Sequence, residues 1–471
     1  MVSGLSLAHD ELGAQALMGI GYQVVVLGEP DQASLQFGKE FGNRGQCNPT
    51  HFTVGNLVKH LIQLRDEQHV PTKEIIEKYV FLTAGGCGPC RFGMYVTEYR
   101  KALRDAGFDG FRVLLFQMAG GVRQATGEEL GLKIDGTFAW AIVRALIAGD
   151  VLNQLAYRLR PYEVEPGATD RAMAEAKLVV GDFFRRRASV TLAMLKARRI
   201  FGRVKLDRTR PKPVVSLIGE FWAMTTEGAG NYHMQRFLER EGAEVRIQGI
   251  TNWLLFLVWE AGHDTKNRMT LREEDTARKG LAGKGDPIKK LVGLKAADKA
   301  IRGFFTVYAN AAGLHGHEFP SMDELARISK DHYNNDVRGG EGHLEVGEAI
   351  HFVEHKINHM TLSVKPFGCM PSSGVSDGVQ SLVMAKWPEA LILCVETTGD
   401  QEVNAHSRVQ MMLFKARQKA QAEFDAALAK AGLSEETFRE KVAKSWRFSG
   451  NFFRPRHRMA GSATNLVYAV S

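Results

Sequence analysis

The chain has 471 residues, 44% of them apolar, enough for two or three packed domains, and a formal net charge of +8. No uninterrupted run of 18 apolar residues occurs, which argues against a membrane-spanning helix, and the first residues lack the pattern of a secretory signal. Five cysteines, Cys47, Cys87, Cys90, Cys369 and Cys394, are too few for a disulfide framework, so the expectation is a cytoplasmic protein whose thiols serve metal or redox chemistry.

In chain order, a helical stretch opens the sequence, and residues 22–27 read as a buried strand ended by Gly28. Asp31 suits the cap of a helix over 32–41. A turn-rich loop holds Cys47. Residues 51–66 read as a helix with Phe52, Leu57, Leu61 and Leu64 inward. Residues 79–82 form an apolar strand. The Gly-rich loop 83–93 with Cys87 and Cys90 follows, then a helix over 94–106 and a strand over 111–116. A strand–loop–helix unit of this kind places its loop at the carboxyl end of a parallel sheet, where ligands bind. The turn at 119–121 is too weak a signal for a phosphate loop.

Two long helices are expected at about 137–160 and 168–200, and a linker at 208–213. Between Arg185 and Lys212 lie eleven Lys or Arg residues and one acid, Asp207. A solvated helix and loop accounts for this segment. The sharper readings are a docking face for an acidic protein or a site for an anionic, nucleotide-tailed thioester, and no nucleic-acid-binding motif is visible.

A second α/β unit begins with a strand at 213–220 ending in Gly219 and Glu220, a helix over 231–241 and a strand at 244–247. Residues 252–335 read as mostly helical around a Gly/Lys-rich loop at 279–288. A strand at 360–364, a loop with Cys369, a helix over 375–386, a strand at 390–395 holding Cys394 and a long helix to about 431 complete it. Glu220 ends its strand at a ligand-binding edge, as an acid/base residue or as a carboxylate satisfied by backbone N–H groups. Asn231 and His233 suit a helix cap. His315 and His317 lie in a loop. His351, His355 and His359 recur every four residues, and Glu348 with His351 has the Glu-x-x-His spacing of di-iron helices, but no second matching helix is evident, and surface or interface histidines are the simpler reading.

Cys47, Cys90 and Cys369 each sit in a loop before a helix and next to a proline motif. Loops at the carboxyl ends of strands in two packed α/β units can converge, and three or four thiolates there suit an iron–sulfur cluster or zinc. A single C-x-x-C also fits a dithiol, and an isolated cysteine fits a small core residue.

The motifs Gly-Pro-Cys-Arg-Phe-Gly-x-Tyr at 88–95, Gly-x-Cys-x-Pro-x-x-x-Thr-x-Gly-Asn at 45–56 and Pro-Phe-Gly-Cys-Met-Pro-Ser at 366–372 together resemble the 2-hydroxyacyl-CoA dehydratase superfamily, in particular the region that follows the ATPase of large activase-type proteins. The runs at 219–220, 339–347 and 399–402 share the likeness, which extends from about residue 10 to 425. The resemblance implies an α/β fold of two Rossmann-like parallel-sheet domains with a helical bridging portion: 1–135 with the Cys47 and Cys87/Cys90 loops, 136–207 as the bridge, 208–431 with the Cys369 loop, and a tail at 432–471. It implies Cys47, Cys90 and Cys369 as ligands of an iron–sulfur cluster, with Cys87 as fourth ligand or idle neighbour. A single 4Fe–4S cluster is favoured over a double cubane, because the latter uses six cysteines. Arg91 and Lys365 would stand as cations beside the cluster. The implied partners are a separate activator ATPase with its own cluster, and a second dehydratase-like subunit or a second copy. The implied activity is that of an iron–sulfur subunit passing low-potential electrons to a small molecule or acyl-CoA thioester; the alternative is a non-catalytic electron-transfer or accessory protein.

Overall fold

A computed structural model describes residues 1–86, 90–117, 121–123, 135–269, 286–337 and 340–471. Two small sheets and many helices make a mixed α/β molecule. The first sheet has the order β1 (Val80–Ala84), β2 (Arg112–Gln117), β3 (Gly121–Arg123); β1 and β2 run parallel and β3 antiparallel. The second is wholly parallel, in the order β5 (Glu244–Ile247), β4 (Val214–Gly219), β6 (Met360–Pro366), β7 (Ile392–Thr397). Every residue of β4 and β6 is buried, as expected of central strands covered on both faces.

Residues 22–27 depart from expectation. They are not a buried strand: only an isolated bridge forms, between Val26 and Val2, and Val25 is exposed. The space beside β1 is taken by Met1 and Val2 instead. The Met1 amino group donates to Val80 O at 2.7 Å, and Val2 N bonds Val25 O at 3.0 Å. Asp31 does cap the helix Gln32–Phe41, in a reciprocal pair with Ser34. Phe52, Leu57, Leu61 and Leu64 line the inner face of Asn48–Asp66.

The expected long helix over 168–200 is broken. It forms as Ala168–Arg185 and Val190–Phe201, with Arg187 at φ 55° between them. These two helices, Gly136–Leu159, Leu7–Gly19 and Pro287–Ala312 bury one shared core that includes Leu12, Ile147, Leu155, Val180, Met194 and Phe305. Gly136–Tyr162 is apolar and long enough to cross a membrane by composition, although no apolar run of 18 exists; here 56% of its window is buried, and it is the central helix of this bundle. Asp150 in it accepts from His9 Nε2 at 3.0 Å and Ile250 N at 2.8 Å, and so ties three helices together.

The basic segment divides. Arg185, Arg186, Arg187, Lys196, Arg199, Arg203 and Lys205 are exposed. Arg208 instead donates to Phe453 O at 2.6 Å and Arg210 to Tyr162 O at 3.1 Å, so the end of the stretch is structural mortar rather than a free face. Residues 432–471 fold back as helices against Glu402–Ala431, burying Phe424, Phe438 and Leu466 together. The Gly/Lys-rich loop at 279–288 lies largely outside the described residues.

Candidate functional site

Three cysteines stand at one structural position, repeated. Cys47 precedes the helix Asn48–Asp66, Cys90 the short helical turn Arg91–Met94, and Cys369 the helix Met370–Gly374. Their backbones are alike, with φ of −73°, −63° and −72° and ψ of 156°, 131° and 119°. None of the three side chains caps its own helix. A helix start is usually capped by Ser, Thr, Asp or Asn. These three starts carry thiols instead.

The loops meet although Cys369 lies far along the chain. Asn48 N donates to Phe367 O at 2.9 Å. Gly368 has φ +77°, and a Cβ on it would stand 3.2 Å from the Cys47 Cα and 3.2 Å from the Arg91 Nη1. Only glycine takes this backbone conformation without strain and lets the Cys369 loop lie against the Cys47 loop. Arg91 closes the third side by donating to Gly45 O. Cys47 and Cys90 are close enough for the charge on one to raise the pKa of the other. Cys87 lies outside the described residues. Cys394 is elsewhere, in β7 opposite Ser363, donating its S–H to Gln380 Oε1.

Burial dominates the electrostatics of these thiols. Burial raises the Cys47 thiol, against the hydroxyls of Thr50 and Tyr95, which lie 3.2 and 3.0 Å from its sulfur. Burial pushes Cys90 up to about 12, and raises Cys369 with help from the Glu220 charge. Soft sulfur donors that a cation must deprotonate suit a metal cluster, and three converging helix starts favour the negative charge such a cluster carries. By donor chemistry, the residues fit an iron–sulfur centre.

Glu220, at the end of β4, caps Phe221–Thr225 by accepting from Ala223 N at 2.8 Å, and its charge is felt at all three thiols. Behind it lies an acidic chamber. Glu341 accepts from Phe221 N at 2.6 Å, Glu345 from Ser372 Oγ at 2.8 Å, and Glu348 from Gln248 Nε2. Glu341, Glu345 and Glu348 line a small cavity with Phe221, Asn252 and Trp253. Glu345 Oε2 and Asn252 Oδ1 are buried with no hydrogen-bond partner. Burial raises all four carboxyls, Glu348 to about 8, and the Glu220 charge adds to the rise at Glu341.

The sequence reading passed over this chamber, although Glu341, Glu345 and Glu348 recur at i, i+4 and i+7, a spacing that shares one helix face. Other expected residues fall in place or fall away. Lys365 is buried in β6, four residues before Cys369. Asn231 holds a turn, donating to Ala223 O and Thr226 O. His233 pairs with Glu227 O at 3.1 Å. His317 is half-buried against Phe305 and Phe319, and loss of solvent around its ring depresses its pKa to about 4.

No protein-family model, no curated protein and no solved structure matches the chain. The likeness to the 2-hydroxyacyl-CoA dehydratases therefore rests on the sequence motifs alone.

Proposed function

We propose that the chain is the iron–sulfur subunit of an ATP-dependent reductase or dehydratase-type system, its mixed first sheet and parallel second sheet belonging to two Rossmann-like domains that face one another across the cysteine site. The observation that carries this reading is that the loops of Cys47, Cys90 and Cys369, three thiols at helix starts, lie against one another. A bound 4Fe–4S cluster would supply one-electron reduction at low potential, with electrons from a separate activator ATPase.

The chain's own residues set the conditions around that centre. The Thr50 and Tyr95 hydroxyls orient the Cys47 sulfur. Arg91 fixes the Cys90 loop to the Cys47 loop and stands as a cation beside them. The buried carboxyls of Glu341, Glu345 and Glu348 hold protons at neutral pH, and Glu220 stands between them and the thiols, so protons and electrons meet at one place. Phe221 and Trp253, with ring centroids 4.6 Å apart, close the chamber on its apolar side. The substrate is a small molecule or acyl-CoA thioester.

Anaerobic purification followed by iron and sulfide analysis and electron paramagnetic resonance tests the reading. Iron and sulfide should be bound by the wild type and by Cys394→Ser, and be largely lost from Cys47→Ser, Cys90→Ser and Cys369→Ser. A chain that takes up no iron after reconstitution, or one whose Cys394→Ser variant loses as much as the others, would overturn it.

A further inference from the structure

A second cluster of metal-ligating side chains lies away from the cysteines. Glu324, in the first turn of Met322–Ser329, and His351 and His355, at the C-terminal end of Gly342–Glu354, place one ligand atom each within 4.8 Å of one another. Four-residue spacing on one helix brings the two imidazoles together, with ring centroids 4.4 Å apart. Glu324 arrives through packing. Gly347 lies one turn before His351, and a Cβ there would come within 2.7 Å of Leu325 O. Glycine thus lets the two helices touch, and the neighbour of Leu325 is laid beside the histidines. His359 shares the spacing but not the site: the helix has ended, its Nδ1 accepts from Val214 N at 2.9 Å, and its ring faces Glu423.

We infer that Glu324, His351 and His355 form a binding site for one divalent transition-metal ion of the zinc, cobalt or nickel type. Two imidazoles and one carboxylate are the donors that borderline cations take, whereas magnesium and calcium require mostly oxygen. Glu324 and His355 are exposed, so water can complete the coordination. Nδ1 of His351 is buried and has no partner in the protein. The histidines sit at a helix C-terminus, whose partial negative charge favours a cation, and Glu354 adds its charge. The competing contact is weak: Arg327 approaches Glu324 at 3.5 Å with both side chains exposed. A metal here clamps Met322–Ser329 to the helix whose other end carries Glu341 and Glu345.

The site is independent of the cysteine centre, and its test separates the two. The full chain is titrated with Zn2+ by calorimetry and with Co2+ by absorption. One Zn2+ equivalent should be weakened roughly tenfold or more in His355→Ala and in Glu324→Gln, and be retained by Cys47→Ser. Its Co2+ spectrum should show weak ligand-field bands without thiolate charge transfer. Both substitutions are at exposed positions, so metal-free unfolding temperatures should match the wild type. Equal zinc affinity in the wild type and His355→Ala would overturn the assignment, as would loss of all zinc binding in Cys47→Ser.

Discussion

At the scale of single residues, the thiols and the buried carboxyls make distinct predictions. Serine is a better helix cap than cysteine, by about 1 kcal/mol relative to a non-capping residue. Replacing a capping-position cysteine by Ser should therefore leave the metal-free fold intact, so that loss of iron reports ligation rather than unfolding. Cys87 shares a C-x-x-C with Cys90. If three thiolates hold the cluster, Cys87→Ser keeps nearly all of its iron while Cys90→Ser does not; equal loss in both would make the centre a four-thiolate electron carrier. Glu348 makes a prediction about pH. Burial raises its pKa from 4.5 to about 8. Between those values the folded chain holds a proton that the unfolded chain has released, so stability falls as pH rises from about 4.5 to about 8, by an order of a few kcal/mol from this group. Glu348→Gln should flatten that slope, seen as a smaller change in urea midpoint between pH 5 and pH 8. Identical slopes would show that Glu348 is already ionised in the folded chain.

At the scale of elements, short loop–helix junctions set the geometry. The Cys369 loop reaches the Cys47 loop only because Gly368 can adopt φ +77° with almost no space beside it. Gly368→Ala adds a methyl where the Cys47 backbone and the Arg91 guanidinium already lie, at a conformation that disfavours a side chain. It should cost roughly 1–3 kcal/mol and lower iron content, although it changes no ligand. Gly45→Ala, also at positive φ but with open space around it, should show the strain without the loss of iron. Iron content unaltered by Gly368→Ala would mean that the loops close by another route.

At the scale of the whole molecule, the helical bundle joins segments from across the chain, and Asp150 is its buried pin. Burial works to raise the Asp150 carboxyl, but His9 and Thr251 outweigh it and hold the pKa below the usual value. Removing one partner of a buried pair leaves an unpaired polar group, at a cost of about 3–5 kcal/mol. Asp150→Ala should therefore lower the unfolding free energy by that order in denaturant titration, and Asp150→Asn by less, since the amide oxygen still accepts from the backbone of Ile250. Equal stability in wild type and Asp150→Ala would remove this pin.

Local chemistry was legible in the sequence. Apolar runs marked β1, β2, β4, β6 and β7, most plainly β4 and β6, since a central strand buried on both faces has no polar alternation to blur it. Asp31 announced its helix, since capping is decided within one turn. The cysteine loops could be singled out by motif. Tertiary structure alone decided the rest. Residues 22–27 have strand composition, yet pair only with Val2, because pairing depends on what is available beside β1. Residues 168–200 keep helical periodicity across a break at Arg187 that packing requires. Glu341, Glu345 and Glu348 look like an ordinary solvated helix face until β4, Gln248 and Trp253 close over them. The meeting of Cys47 with Cys369, and of Glu324 with His351, depends on two close approaches at Gly368 and Gly347, contacts between distant segments that no local pattern encodes.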